Sequence, residues 1–193
     1  SMAILDGNLT LSLPLDISIT TVMDALSHSL EAIWNKNANN TSTDFAISAV
    51  CSILRNVEVL KQTPSDLSIR NKLLNASTVS GLAFSNTTTA AAHSMSYPLT
   101  IHYEIPHGVA SSIGLIPLLE INGKLIKEPL DKICNNLELT YNELKQTIKA
   151  IPQGVIPYTL KAWGIPEDQL LGLAGESFTK GRMNNNIVDL KTD

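Results

Sequence analysis

Apolar residues recur at helical spacing along most of the chain, and that periodicity predicts a protein built from packed helices. Residues 1–16 read as a lead-in segment. Within it LTLSLP alternates apolar and polar positions, predicting a short extended piece that ends at Pro14. Over residues 17–34 the positions Val22, Leu26, Leu30 and Ile33 form one apolar stripe of a helix. NKNANNTST then reads as a polar loop, with Thr41, Ser42 or Thr43 capping a helix that runs to about Leu60. Pro64, Ser65 and Asp66 mark a turn and a cap, and a long helical pattern follows through Leu73, Leu74 and Val79 towards Ala92. Gly81 and the run TTTAAA inside it suggest close helix packing or a local irregularity. Pro98 and Pro106 are expected to break helices and shape a loop. Residues 109–120, 124–136, 140–151, 155–163 and 167–174 predict shorter helices, the first bent at Pro117, before a polar, weakly patterned tail from Lys180. Strand signals are nearly absent after residue 16, so residues 17–193 are expected to form an all-α, multi-helix bundle domain.

Composition narrows the partners. The 193 residues can bury one sizeable core, and 44% hydrophobic with 17% charged residues is an ordinary globular balance. A net charge of −4 without a basic run gives no reason to expect nucleic acid or an anionic membrane. The longest apolar stretch, residues 108–121, is interrupted by Ser111, Ser112 and Pro117 and falls short of the roughly 20 residues a spanning helix needs. Cys51 and Cys134 form no CxxC pair and read as buried thiols of a reducing, cytoplasmic protein. Trp34 and Trp163 read as core or interface residues.

The candidate chemistry lies in the four histidines, His28, His93, His102 and His107. Asp24 and His28, four apart on one helix, stack on one face and can reach a single ion. A carboxylate oxygen with an imidazole nitrogen suits Fe²⁺ or Zn²⁺ better than Mg²⁺ or Ca²⁺. Taken alone the DxxxH spacing is common and fits an i,i+4 ion pair or hydrogen bond on a helix surface better than a metal site. His93 ends the small-residue run. His107 sits between Pro106, which restricts the incoming chain, and Gly108, which allows an unusual turn. Glu31, three residues beyond His28, is a candidate to orient that ring.

DALSHSLEA at 24–32, IRNKLLNASTVSGLAFSN at 69–86, AAHSMSYPL at 91–99 and IPHGVASSIGLIPLLEIN at 105–122 together resemble the iron-containing alcohol dehydrogenase family, in motif order and in separation. The resemblance covers at least residues 20–122. It implies the helical domain of the dehydroquinate synthase/iron-containing alcohol dehydrogenase type, with Asp24, His28, His93 and His107 as ligands of one divalent ion. It also implies that the ion polarises the oxygen of a small alcohol or aldehyde while hydride passes to or from NAD(P)H. Family members commonly read HAMAHP where this chain reads HSMSYP, so Tyr97 takes the place of a histidine and becomes a candidate hydrogen-bond donor or proton relay. SHSLEAIWN and HSMSYPLT look most like the phosphonoacetaldehyde and hydroxyphosphonoacetaldehyde reductase branch, which implies a small phosphonate aldehyde. His102 and Arg182, with Lys180 nearby, are then candidates to bind that substrate.

Full-length members carry an N-terminal Rossmann-like domain. GxGxxG, a GGGS-like loop and a βαβ pattern are all missing here, so the chain is expected to begin near the hinge and to lack the cofactor half. By itself it is expected to bind metal without appreciable turnover and, with an apolar face uncovered, to form a homodimer. A non-catalytic metal-binding or assembly module with the same helical fold is the alternative reading, and a metal-dependent hydrolase a more distant one.

Overall fold

The computed structural model describes residues 3–191. Among these residues nine α-helices follow one another: α1 Leu15–Ile33, α2 Asn40–Gln62, α3 Leu67–Thr87, α4 Ala91–Tyr103, α5 His107–Ser112, α6 Leu115–Asn122, α7 Lys127–Leu137, α8 Tyr141–Ala150 and α9 Leu170–Glu176. Short 3-10 turns lie at Gly7–Thr10, Leu160–Trp163, Glu167–Gln169 and Met183–Asn185. No strand forms among the described residues, so the all-α expectation holds; the one isolated β-bridge joins Asn35 to Asn186.

Helices α1, α2 and α3 pack on one another and bury the main core, in which Ile19, Met23, Leu26, Leu30, Trp34 and Ile53 are essentially inaccessible. A second, smaller core of Leu99, Ile105, Val109, Ala110, Ile165 and Leu173 sits where α4, α5 and α9 meet. Trp34 is a core residue, as expected, and Trp163 is half-buried with its indole N–H donated to the Pro157 carbonyl. Cys51 is buried and Cys134 half-buried, both as free thiols.

Several local expectations are corrected. Residues 7–10 form a 3-10 turn, not an extended piece. Asp6 caps it by accepting from the Asn8 N–H, and Leu9 stays 79% exposed, so the alternation buries no face. Arg70, itself buried, ties this lead-in to the bundle by donating to the Leu13 and Pro64 carbonyls and to Ser18 Oγ. The cap of α2 is Asn39 and not one of the hydroxyl residues after it; Ser42 completes a reciprocal capping box. The prolines divide. Pro106 does shape the α4–α5 turn, as the residue before α5, whereas Pro98 lies buried inside α4. A mid-helix proline costs about 3 kcal/mol, and here the packing of α4 against α5 and α9 overrides it. Pro117 occupies the first turn of α6, where its missing N–H costs nothing. The preceding break at Ile113 and Gly114 separates α5 from α6. Residues 155–163 do not form the expected helix. Gly154 takes a left-handed φ of 73° and Pro157 lacks an N–H, leaving only the 3-10 turn at Leu160–Trp163.

The helix expected to run on to Ala92 ends at Thr87. Thr88 stands at φ 63°, ψ −178°, a conformation a β-branched residue adopts only under constraint. The constraint comes from two asparagines. Asn35 donates to the Thr88 carbonyl, and Asn185 donates to Thr88 Oγ1 and the Thr89 carbonyl. The tail that looked unpatterned is therefore docked on the end of α1, and Asn186 exchanges side-chain hydrogen bonds with Asn122.

Gly108 serves packing and not an unusual turn. A Cβ there would lie 2.0 Å from the Thr20 carbonyl oxygen and 3.1 Å from Asp24 Cβ, so α5 can touch α1 only through a glycine. A Cβ on Gly81 would meet nothing within 4 Å. The two glycines should thus respond oppositely to alanine. Gly108→Ala should destabilise by about 2 kcal/mol or more through overpacking, and Gly81→Ala should stabilise by about 0.5–1 kcal/mol through helix propensity. Urea unfolding of both variants checks this; equal effects would refute the close approach of α1 and α5.

Candidate metal centre

Three helices converge on one cluster. Helix α1 presents Asp24 and His28 one turn apart, with Glu31 a further turn along the same face. Helix α4, starting just after the Thr88 break, presents His93 as its third residue. Helix α5, held against α1 by Gly108, presents His107 as its first. One ligand atom each from Asp24, His28 and His93 lies within 4.8 Å of the others. His107 joins them, with Nε2 3.6 Å from Asp24 Oδ1. The rings of His28 and His93 are 4.1 Å apart between centroids, and those of His93 and His107 5.3 Å.

The hydrogen bonds prepare the nitrogens. His28 Nδ1 lies 3.0 Å from the Asp24 carbonyl oxygen, which can only accept, so the ring proton sits there and leaves the Nε2 lone pair free. Phe84 stacks on the His28 ring at 4.1 Å and restrains its plane. His93 Nδ1 lies 2.6 Å from Glu31 Oε2, and its Nε2 is buried without any hydrogen-bond partner. Asp24 Oδ1 accepts from Ser111 Oγ at 3.0 Å and is 3.5 Å from His93 Nε2. A buried nitrogen with no partner costs free energy unless something binds it. Two imidazole lone pairs, a third ring at 3.6 Å and a carboxylate make a donor set that fits one divalent cation of borderline softness.

The charges follow from the same contacts. Burial works to raise the Asp24 carboxyl, but the close approach of the His93 ring and the charges of His28, His93 and His107 outweigh that and hold it below its usual value. Burial, and then the neighbouring His93, lower His28. Burial also opposes the His93 cation, yet the carboxylates of Asp24 and Glu31 outweigh it and raise the ring to about 9.

The remaining candidates lie at differing distances from the cluster. The Tyr97 ring carries the Arg182 guanidinium 4.5 Å from its centroid. Lys180 and Arg182 line a cleft of about 600 Å³ with Phe84, Ser85, Thr88 and Thr89. His102 is nine residues beyond His93 on α4, about 13 Å along the axis, where it pairs with Glu176 at 2.7 Å. The partner of Glu31 is His93, and not His28 as the local spacing suggested. Ser111 was not anticipated at all, since its contact with Asp24 spans 87 positions.

The model of the Fe-containing alcohol dehydrogenase family, C-terminal, matches residues 18–193. Long-chain-alcohol dehydrogenase 1 of Geobacillus thermodenitrificans is 30% identical over 94% of this chain and 49% of its own length. 1,3-Propanediol dehydrogenase of Citrobacter freundii is 37% identical over 67% of the chain and 33% of its own length. Among solved structures, sulfoacetaldehyde reductase from Bifidobacterium kashiwanohense in complex with NAD⁺ superposes with a TM-score of 0.86 at 26% identity, covering 97% of this chain and 50% of that one. The chain thus spans about half the length, or less, of the relatives it matches.

His93 supplies a pH signature. A raised pKa means that its charge stabilises the fold fully below the ordinary value of 6.5, and that this stabilisation is lost as pH rises through about 9. Protein stripped of divalent ions should therefore lose stability across that window, at up to about 1.4 kcal/mol per pH unit, the slope for one proton. His93→Asn should flatten the slope. Thermal unfolding in EDTA from pH 6 to 9.5 measures it, and a level profile for the parent chain would contradict the charge assignment.

Proposed function

The chain belongs to the Fe-containing alcohol dehydrogenase family, and from that premise we propose that it is the metal-holding helical half of a nicotinamide-linked alcohol dehydrogenase or aldehyde reductase. Asp24, His28, His93 and His107 would hold one Fe²⁺ or Zn²⁺. The observation that carries this reading is His93 Nε2, buried, without a partner, and turned among the other three donors. Such an ion would polarise the oxygen of an alcohol or aldehyde for hydride exchange with NAD(P)H.

The chain's own groups do the rest. Asp24 supplies the anion, with Ser111 holding its Oδ1. The Nδ1 contacts of His28 and His93 orient the two rings and leave each Nε2 as the atom that would meet an ion. His107, half-exposed at the edge of the cluster, faces the side from which substrate would come. The fourth wall and the nicotinamide would come from a second domain, in keeping with relatives about twice as long. Without that wall the chain is expected to bind metal and to turn over little.

A finer reading concerns the substrate. Lys180 and Arg182 have no carboxylate within ion-pairing distance among the described residues, and their cleft shares Phe84 with the His28 ring. A small aldehyde bearing a phosphonate or a similar anionic group would suit that arrangement, with its head on Arg182 and its carbonyl towards the histidines. The solved sulfoacetaldehyde reductase is named for an aldehyde with such an anionic head. Tyr97 then acts as the platform that orients Arg182. The geometry favours no part for His102, whose ring is committed to Glu176.

Elemental analysis after anaerobic purification tests the metal. About one iron or zinc per chain is expected, falling at least tenfold in the His93→Ala, His107→Ala double variant while the helical circular dichroism persists. Absence of metal from the parent chain would leave only the non-catalytic module. For the substrate, Arg182→Ala should weaken binding of a small phosphonate by roughly tenfold, the worth of one charge-assisted contact, as read by calorimetry on the metal-loaded chain. Unchanged affinity would remove the anion from the reading.

A further inference from the structure

Glu31 is the most deeply buried acidic or basic residue among the described residues, with 0% exposure, and both its carboxylate oxygens are spent on one histidine. Oε1 accepts the backbone N–H of His93 at 3.1 Å, and Oε2 accepts from His93 Nδ1 at 2.6 Å. We propose that Glu31 is a positioning residue that sets the tautomer of His93, placing the ring proton on Nδ1 and turning the Nε2 lone pair to the metal site. This rests on the metal-binding reading above, because a tautomer matters only if Nε2 is needed as a lone pair.

The argument is one of donors and acceptors. A carboxylate can only accept, so whatever lies 2.6 Å from it must donate. In the neutral ring the proton is therefore on Nδ1, and Nε2, which has no hydrogen-bond partner among the described residues, turns its lone pair among Asp24, His28 and His107. The second contact removes the remaining freedom. By holding the backbone N–H of the same residue, Glu31 fixes the peptide as well as the ring, so the lone pair cannot swing away. Burial strengthens both bonds by excluding water as a competitor. Glu31 also brings a second carboxylate to the His93 ring beside that of Asp24, and the two would balance the charge of a dication held there.

Glutamine in this position reverses the logic with almost no change of shape. If the amide oxygen keeps the His93 backbone N–H, the amide NH₂ faces Nδ1, which must then accept. The ring proton moves to Nε2 and occupies the lone pair that the ion needs. The opposite amide orientation sets two N–H groups against each other. Either way Glu31→Gln should fold and still lose the site. Loss of such a supporting partner typically costs 10–100-fold in metal affinity.

Two measurements separate this proposal from the metal reading. The first uses metal-free chain at pH 10, above the titration of His93, with long-range ¹⁵N–¹H correlation of the histidine rings. The parent should show His93 protonated on Nδ1, and Glu31→Gln should show it on Nε2, with circular dichroism confirming that both are folded. The second is a Co²⁺ titration, read by the visible spectrum and by chelator competition, in which Glu31→Gln should bind 10–100-fold more weakly than the parent. An inverted tautomer with no Co²⁺ binding by the parent would uphold Glu31 as the tautomer-setting group and remove the metal from the reading. A His93 tautomer that is the same in both proteins would overturn the proposal, whatever the cobalt result. So would equal Co²⁺ affinity and spectra in the presence of an inverted tautomer.

Discussion

A carboxylate held out of water in the middle of a helix is the constraint on which this structure turns. Glu31 sits on the face of α1 that enters the core, and no residue of α1 hydrogen-bonds its oxygens. Left alone such a group would cost several kcal/mol of desolvation. Among the described residues its hydrogen-bond partners are the ring and the backbone N–H of His93, 62 positions later, so α4 must begin where its third residue meets α1. That requirement explains why a helical pattern running from Leu67 towards Ala92 is cut at Thr88 in a conformation threonine resists. Strain there is offset by Asn35 from the end of α1 and Asn185 from the tail, both of which donate to the broken segment.

The same helix receives α5 from its other side. Gly108 lets the backbone of α5 approach the Thr20 carbonyl, and this close contact carries His107 and Ser111 up to Asp24. The four candidate ligands thus hang on three helices whose relative placement depends on one buried ion-paired hydrogen bond and one missing side chain. The cluster is rigid on the α1 and α4 side, where His93 is 2% exposed, and open on the α5 side. An opening of that kind suits a centre that must admit a substrate oxygen, and suits less well a closed structural site, whose donors surround the ion on all sides.

A basic cleft lies beside the cluster, on the other face of Phe84 from the His28 ring. It runs from Phe84, behind the His28 ring, to Lys180 and Arg182, with Tyr97 beneath the guanidinium. Tyr97 lies one turn beyond His93 on α4, so a single helix supports both the candidate ligand and the stacked cation.

Periodicity and turn chemistry in the chain determined the all-α class, the positions of α1, α2, α7 and α8, the Asp66 cap, and the pairing of Asp24 with His28, because each depends on residues a few positions apart. Motif order picked out His93 and His107 before any fold was known. Only the tertiary structure decided that Glu31 belongs to His93, that Ser111 holds Asp24, that Gly108 is a contact and not a turn, and that Pro98 stays helical. Local pattern also misjudged the tail, whose asparagines bond to Lys36 just after α1, to Asn122 of α6 and to the Thr88 break. The physical reason is common to all of these. Propensity and spacing act within one or two helical turns, whereas a buried donor or acceptor finds its partner wherever packing brings one, and no local period records that distance.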